Sequence, residues 1–145
     1  MEVKFKKLTD TAIIPTKATD GSAGYDLYID YDGVTPVEPH TTVMFSTGIA
    51  IEIPKGCFGA IYPRSGVSSK LGLRLSNCVG VVDSDYRGNI GLPIHNDSYR
   101  IHYVEPHMRI AQIVFQKYED VQLVEVEELS DTERGTGGFG STGTT

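Results

Sequence analysis

Cysteine, surplus positive charge and long apolar runs are all scarce in this sequence. Cys57 and Cys78 are the two cysteines among 145 residues and form no CxxC pair, so there is no disulfide scaffold and no cysteine-rich metal centre. Two buried, reduced thiols are the expectation. The four histidines, His40, His95, His102 and His107, show no HExxH spacing and no cysteine neighbours, which argues against a protein-ligated zinc ion. Neither a GxxxxGK[ST] phosphate loop nor a G-x-S-x-G nucleophile elbow is present. No run approaches the ~18 apolar residues that span a bilayer. The N-terminal MEVKFKKLTD lacks the apolar core of a secretory signal. With 13 Lys and Arg against 19 Asp and Glu, the net charge of −6 is wrong for a duplex-binding face. A few converging arginines can still hold a small anion. Together these absences predict a cytoplasmic or otherwise intracellular chain with no membrane contact and no direct nucleic-acid contact.

What is there reads as strands. The length suits one domain, and 39% hydrophobic residues can bury a core. Helical periodicity is almost absent. Short apolar or alternating runs recur instead, at 3–8, 42–53, 57–63, 89–96, 99–104, 109–118 and 121–129. Glycine, proline and Asn/Asp/Ser clusters separate them at near-regular intervals. This predicts an all-β chain, a jelly-roll-like sandwich or distorted barrel. One helical turn is expected at 65–72, with Ser65 as N-cap and Gly72 as its stop. Residues 1–131 form the β domain. Residues 132–145 turn to Gly, Ser and Thr and read as a flexible tail. So many strands in so short a chain leave edges to close or to pair with other copies, hence a homo-oligomer is expected.

The tail holds a literal G-x-G-x-x-G, the GTGGFG of RGTGGFGSTG (134–143). A dinucleotide fingerprint needs a helix after it, and the Ser, Thr and Gly of residues 141–145 that follow GTGGFG here offer none, so that reading fails. Four further segments join loop glycines to charged or polar groups. DGSAGYDLY (20–28) carries Asp26 at a strand start, either a capped turn or a site. PRSGVSSK (63–70) offers Arg64, Ser65, Gly66 and free N–H groups, either a plain capped turn or a phosphate seat. NCVGVVDSDYRGN (77–89) brackets Asp83, Asp85 and Tyr86 between Gly80 and Gly88, either a polar turn or a working hairpin. RIAQIVF (109–115) sets Arg109 and Gln112 in an apolar strand, as an edge or ion-paired feature or as part of a site.

In this order, AGYDL (23–27), PRSG (63–66), GVVDSDYRG (80–88), RIAQ (109–112) and RGTGGFGSTG (134–143) resemble the five motifs of the trimeric dUTPase family, over nearly the whole chain. The resemblance implies a jelly-roll-type (β-clip) fold and a homotrimer with active sites between subunits. It also implies hydrolysis of dUTP to dUMP and pyrophosphate with magnesium (Mg2+), which keeps uracil out of DNA and supplies dUMP for dTTP synthesis. By position, Asp83 would order and activate the attacking water. Asn77, the backbone of Gly80, Val81, Val82 and Asp83, and Gly91 would read the uracil edge. Tyr86 would lie under the deoxyribose and crowd out a 2′-hydroxyl. Arg64, Ser65 and Gly66 would hold phosphates, Gln112 would contact the chain near the α-phosphate, and Asp26 would bind the magnesium through water. In the tail, Arg134 would reach the γ-phosphate and Phe139 would cover the uracil, with Gly140 and Ser141 closing behind.

Chemistry fits these implied roles. Hydrolysis at a phosphate needs an in-line water, a carboxylate to orient it and positive charge on the departing pyrophosphate. Magnesium takes waters and phosphate oxygens readily, so no dense carboxylate cluster is required. Two departures stand out: PHM (106–108) replaces a glycine and an acid common before RIAQ, and serines follow the valine in PRSGVSSK. The fold-related dCTP deaminases need a glutamate on the strand after the hairpin, where NIGLPIHN (89–96) has no acid. A non-catalytic member would have no use for Asp83, Arg134 and Phe139 together. Nothing in the sequence indicates a regulatory protein partner.

Overall fold

The computed structural model describes residues 1–138. Its strands are β1 (Lys4–Lys7), β2 (Tyr25–Tyr28), β3 (Thr35–Val37), β4 (Thr42–Ser46), β5 (Ile49–Glu52) and β6 (Cys57–Pro63), followed by helix α1 (Ser65–Leu71). Then come β7 (Leu73–Leu75), β8 (Gly80–Val82), β9 (Gly91–Asn96), β10 (His102–Val104) and β11 (Arg109–Lys117). A four-stranded sheet runs β2-β11-β6-β8 and a three-stranded sheet runs β4-β9-β7. The ribbons β1-β5 and β10-β3 complete the structure, and every strand pairing is antiparallel. Among the described residues no sheet closes into a barrel, and the expected all-β, jelly-roll-like form with one short helix holds.

One apolar core joins the sheets. Leu27, Ile61 and Ile113 come from the larger one, and Phe45, Leu75, Leu92 and Ile94 from the smaller. Strand β9 shows the cause. Its side chains alternate between half-buried and buried from Gly91 to Asn96, as a pleated strand with one core face must. Asn96 ends that strand fully buried. Its amide donates to Val37 O at 2.8 Å and Arg100 O at 2.7 Å, and its carbonyl accepts from the Ser98 N–H and hydroxyl. All of its hydrogen-bonding capacity is thereby used.

Four local expectations need correcting. The run 42–53 is two strands, because Gly48 adopts φ 64° and the buried Thr47 hydroxyl donates to Ile90 O at 2.8 Å, turning the chain. Ser65 is not the helix N-cap; Arg64 holds that position, with φ −75° and ψ 132°, and no side chain caps the helix. Gly72 does end it, in the left-handed conformation. Cys57 is buried, but Cys78 is exposed. Finally, 121–129 forms no strand, and Val121, Leu123, Val124, Val126 and Leu129 stand exposed. Alternation alone makes no strand where no edge pairs with it. Among the described residues, no helix is long and apolar enough to cross a membrane.

Candidate active site

The four internal motifs converge on one sheet. Asp26 on β2 pairs with Gln112 on β11, which pairs with Tyr62 on β6, one residue before Pro63 and two before Arg64. On the other side of β6, Ile61 pairs with Gly80 and Gly59 with Val82. Asp83 follows directly.

The Asp26 side is a polar cleft of about 380 Å3, lined in part by Asp26, Arg64, Ser65, Gly66, Lys70 and Gln112. Asp26 is 6% exposed, and two guanidiniums hold it. Arg64 Nε lies 3.0 Å from Oδ1 and Arg109 Nη1 lies 3.2 Å from Oδ2. Arg64 Nη1 also donates to the Arg109 carbonyl at 3.3 Å. Gln112 donates to Pro63 O at 3.3 Å, and its side chain fills the space that a Cβ on Gly24 would need. The Arg64 carbonyl accepts from the N–H groups of Val67 and Ser68, while those of Ser65 and Gly66 have no acceptor among the described residues. A Cβ at Gly66 would meet nothing within 4 Å. The fold therefore does not demand this glycine; open space lies over a pair of free donors.

Arg109 and Lys70 were not assigned roles from sequence, and the structure brings both to this region. Lys70 sits one helical turn after Gly66, on the same face of α1. That spacing was readable in PRSGVSSK. Arg109 depends on an irregularity. The β2–β11 register runs Gln112↔Asp26 and Ala111↔Leu27, then jumps to Arg109↔Tyr28, leaving Ile110 as an extra residue. Ile110 and Ala111 are consecutively buried, and the bulge turns Arg109 to the face that carries Tyr28 and Asp26. Strict alternation would have pointed it the other way.

The Asp83 side is no hairpin, since β8 pairs with β6 and β9 lies in the other sheet; it is a turn leaving β8, beside a wider groove of about 700 Å3 that includes Asp83, Ser84, Asp85 and Arg87. Asp83 is exposed, at the start of a turn closed by the Tyr86 N–H on its carbonyl at 3.2 Å. Tyr86 is half-exposed and donates to Asn89 O at 2.9 Å, and its ring occupies the space that a Cβ on Gly88 would take. Gly80 lies under the Asn77 amide. Val82 is buried and Val81 is exposed. A Cβ on Gly91 would crowd Met44 Sδ.

These two sides are apart within one chain. Strand β6 carries Arg64 about 16 Å from Gly59, the partner of Val82, at ~3.3 Å per residue. In the tail, Arg134 Nε donates to Gly137 O at 2.9 Å. Phe139, Gly140 and Ser141 lie outside the described residues. No cluster of three or more His, Cys, Asp or Glu able to hold a metal exists among the described residues. Each Asp26 oxygen faces one arginine and keeps one further lone pair, which suits a water of a hydrated ion better than the ion itself.

A family model described as dUTPase matches residues 10–143. The deoxyuridine 5'-triphosphate nucleotidohydrolase of swinepox virus is 44% identical over 97% of this chain and 96% of its own length. That of Clostridioides difficile is 44% identical over 97% of each. Among solved structures, the Staphylococcus bacteriophage 80alpha dUTPase with dUPNHPP superposes with a TM-score of 0.86 at 30% identity, covering 99% of both chains. The phage phi11 dUTPase, described with a structural Mg(II) ion, gives 0.78 at 25% identity over 88% of this chain and 98% of that one. The five motifs, the β-sandwich that aligns four of them and these likenesses agree: the chain belongs to the dUTPase family.

Proposed function

We propose that the chain hydrolyses dUTP to dUMP and pyrophosphate. The observation that carries this reading is the cleft at Arg64, where free N–H groups, an uncrowded glycine, a lysine and a guanidinium meet, at the sheet whose edge strand β8 leads into an exposed aspartate. A polyphosphate suits the first feature through charge-assisted hydrogen bonds. A water-directing carboxylate suits the second.

In the proposed reaction, the Asp83 carboxylate orients a water and takes its proton as the oxygen bonds to the α-phosphorus. The bond from that phosphorus to the α,β-bridging oxygen breaks, and pyrophosphate leaves. Asn77, the Gly80–Asp83 backbone and Gly91 read the uracil. Tyr86 lies against the sugar, and Gln112 holds the phosphate chain. Arg64 and the Ser65 and Gly66 N–H groups take the phosphates. Magnesium bound to the triphosphate would offset its charge, with Asp26 accepting from the ion's waters.

Because Asp83 follows Val82, whose partner Gly59 lies about 16 Å along β6 from Arg64, one chain does not offer both to one triphosphate. A second copy must bring the missing half, which favours a homotrimer with sites between subunits. The tail then serves as a lid, with Arg134 on the γ-phosphate and Phe139 over the base. Ordering ten residues costs on the order of 10 kcal/mol, and one aromatic stack returns about 1–3 kcal/mol. Closure therefore needs the triphosphate contact too, and dUMP should leave the tail open. Amide exchange tests this: the tail should gain protection with a non-hydrolysable dUTP analogue, and equal protection by dUMP would refute the lid.

The deciding assay is pyrophosphate release from dUTP, dCTP, dTTP and UTP with magnesium, by the parent and by Asp83→Asn. Release from dUTP alone is expected, reduced by at least ~100-fold in the variant, the lower bound for a general base. Binding of dUTP without cleavage would make the site a sensor. Ammonia from dCTP would assign it to the deaminases.

A further inference from the structure

We propose that Arg109 is a positioning residue for the phosphate site, acting through Asp26 to set the Arg64 guanidinium; this rests on the functional reading above. Arg109 does not line the cleft, whereas Arg64 and Asp26 do. Its two contacts nevertheless both end on Arg64. The side chain holds Asp26 Oδ2 at 3.2 Å, which leaves Oδ1 for Arg64 Nε at 3.0 Å. The main-chain carbonyl accepts from Arg64 Nη1 at 3.3 Å. With Nε and Nη1 both engaged, the rigid guanidinium plane is fixed. Its Nη2 has no partner among the described residues and is left for an anion.

Charge points the same way. Asp26 is buried, and a carboxylate there needs compensation. Arg64 alone would be neutralised by it and drawn onto both oxygens. The second arginine takes half of the carboxylate, so one positive charge stays in excess at the cleft wall. The bulge at Ile110 is what allows this, since it re-aims Arg109 onto the Asp26 face. The spacing of RIAQ thus places two polar side chains on one side of a strand, three residues apart, where a regular strand would oppose them.

The test is calorimetric binding of a non-hydrolysable dUTP analogue and of dUMP, in EDTA so that magnesium does not contribute. The chains are the parent, Arg109→Gln, Arg109→Lys, Asp26→Asn and the Asp26→Asn/Arg109→Gln double variant. Arg109→Gln should bind the triphosphate analogue at least tenfold more weakly, with dUMP affinity changed less than threefold. Arg109→Lys should recover part of the loss. In the double variant the two losses should not add, because both substitutions break one chain of contacts. That variant also carries no buried charge, so it remains informative if Arg109→Gln unfolds. Unchanged analogue affinity in Arg109→Gln, an equal loss for dUMP, or additive losses would each overturn the inference. Failure of the parent to bind the analogue would instead overturn the functional reading.

Discussion

Two glycines separate what the fold requires from what a ligand requires. Gly48 has φ 64°, and an added Cβ would run into Ala12, the Thr9 hydroxyl and the Asp30 carboxylate. Gly48→Ala should therefore cost on the order of 1–3 kcal/mol from backbone strain, with the steric conflict added, and lower the melting temperature. Gly66 meets nothing, and alanine is the better helix former by about 1 kcal/mol. Gly66→Ala should leave the melting temperature unchanged or higher while weakening triphosphate binding, as thermal unfolding and calorimetry on one sample would show. The proposed site was legible through five motifs in order, since each segment alone left a plain turn or strand feature as the alternative; the exposure of Asp83 and the open space at Gly66 are added by the structure. Arg109 stood out within RIAQ, but neither its role nor its direction was legible. Its direction depends on the extra residue Ile110, and no reading of alternation reveals where a strand breaks step.

At the level of elements, β7 and β9 show how charge supports pairing at a sheet edge. Arg74 stands opposite His95, and Asp97 follows β9. Arg74 grips Asp97 with two bonds, Nε to Oδ2 at 2.6 Å and Nη2 to Oδ1 at 3.1 Å, and His95 Nε2 lies 3.4 Å from Oδ1. The Arg74 hydrogen bond holds the Asp97 carboxyl below the ordinary aspartate range, and the same bond raises Arg74. A depressed carboxyl stabilises the fold above its unfolded value, and that contribution fades as pH falls through the lower, folded one. Asp97→Asn should therefore melt slightly below the parent at neutral pH, the small effect of an exposed ion pair. The gap should close under acid conditions, below the usual aspartate range. A gap that widens as pH falls would reverse the sign. Strand existence was readable here from alternating residues such as 91–96. The break at Thr47–Gly48 was not, because a buried hydroxyl bond to Ile90 across the fold makes it. Nor was the unpaired state of 121–129, which follows from the absence of an edge within reach.

For the whole molecule, the distance between Asp83 and Arg64 is the governing fact. If neighbouring copies complete each site, two inactive chains should repair one another. Arg64→Gln and Asp83→Asn, each nearly inactive alone, should regain activity when refolded together at equal amounts. Random assembly leaves about one site in four with both parental halves. Recovery of about a quarter of parental dUTP turnover is expected, and none would place the whole site within one chain. Sedimentation should give a trimer, and removal of residues 119–145, with their exposed Leu123 and Leu129, should weaken that assembly.

The bulge on β11 has a consequence for chain length. Because Ile110 is the supernumerary residue, side-chain changes there trade only apolar volume in the core, and Ile110→Val should be mild. Deleting that single residue is another matter. It would straighten the ladder with β2 and leave Arg109 two positions from Gln112, still on the Asp26 face, but it would empty the place of a fully buried isoleucine in the core. The bulge thus lets one strand present Arg109 and Gln112 to the same face while adding one more side chain to the core.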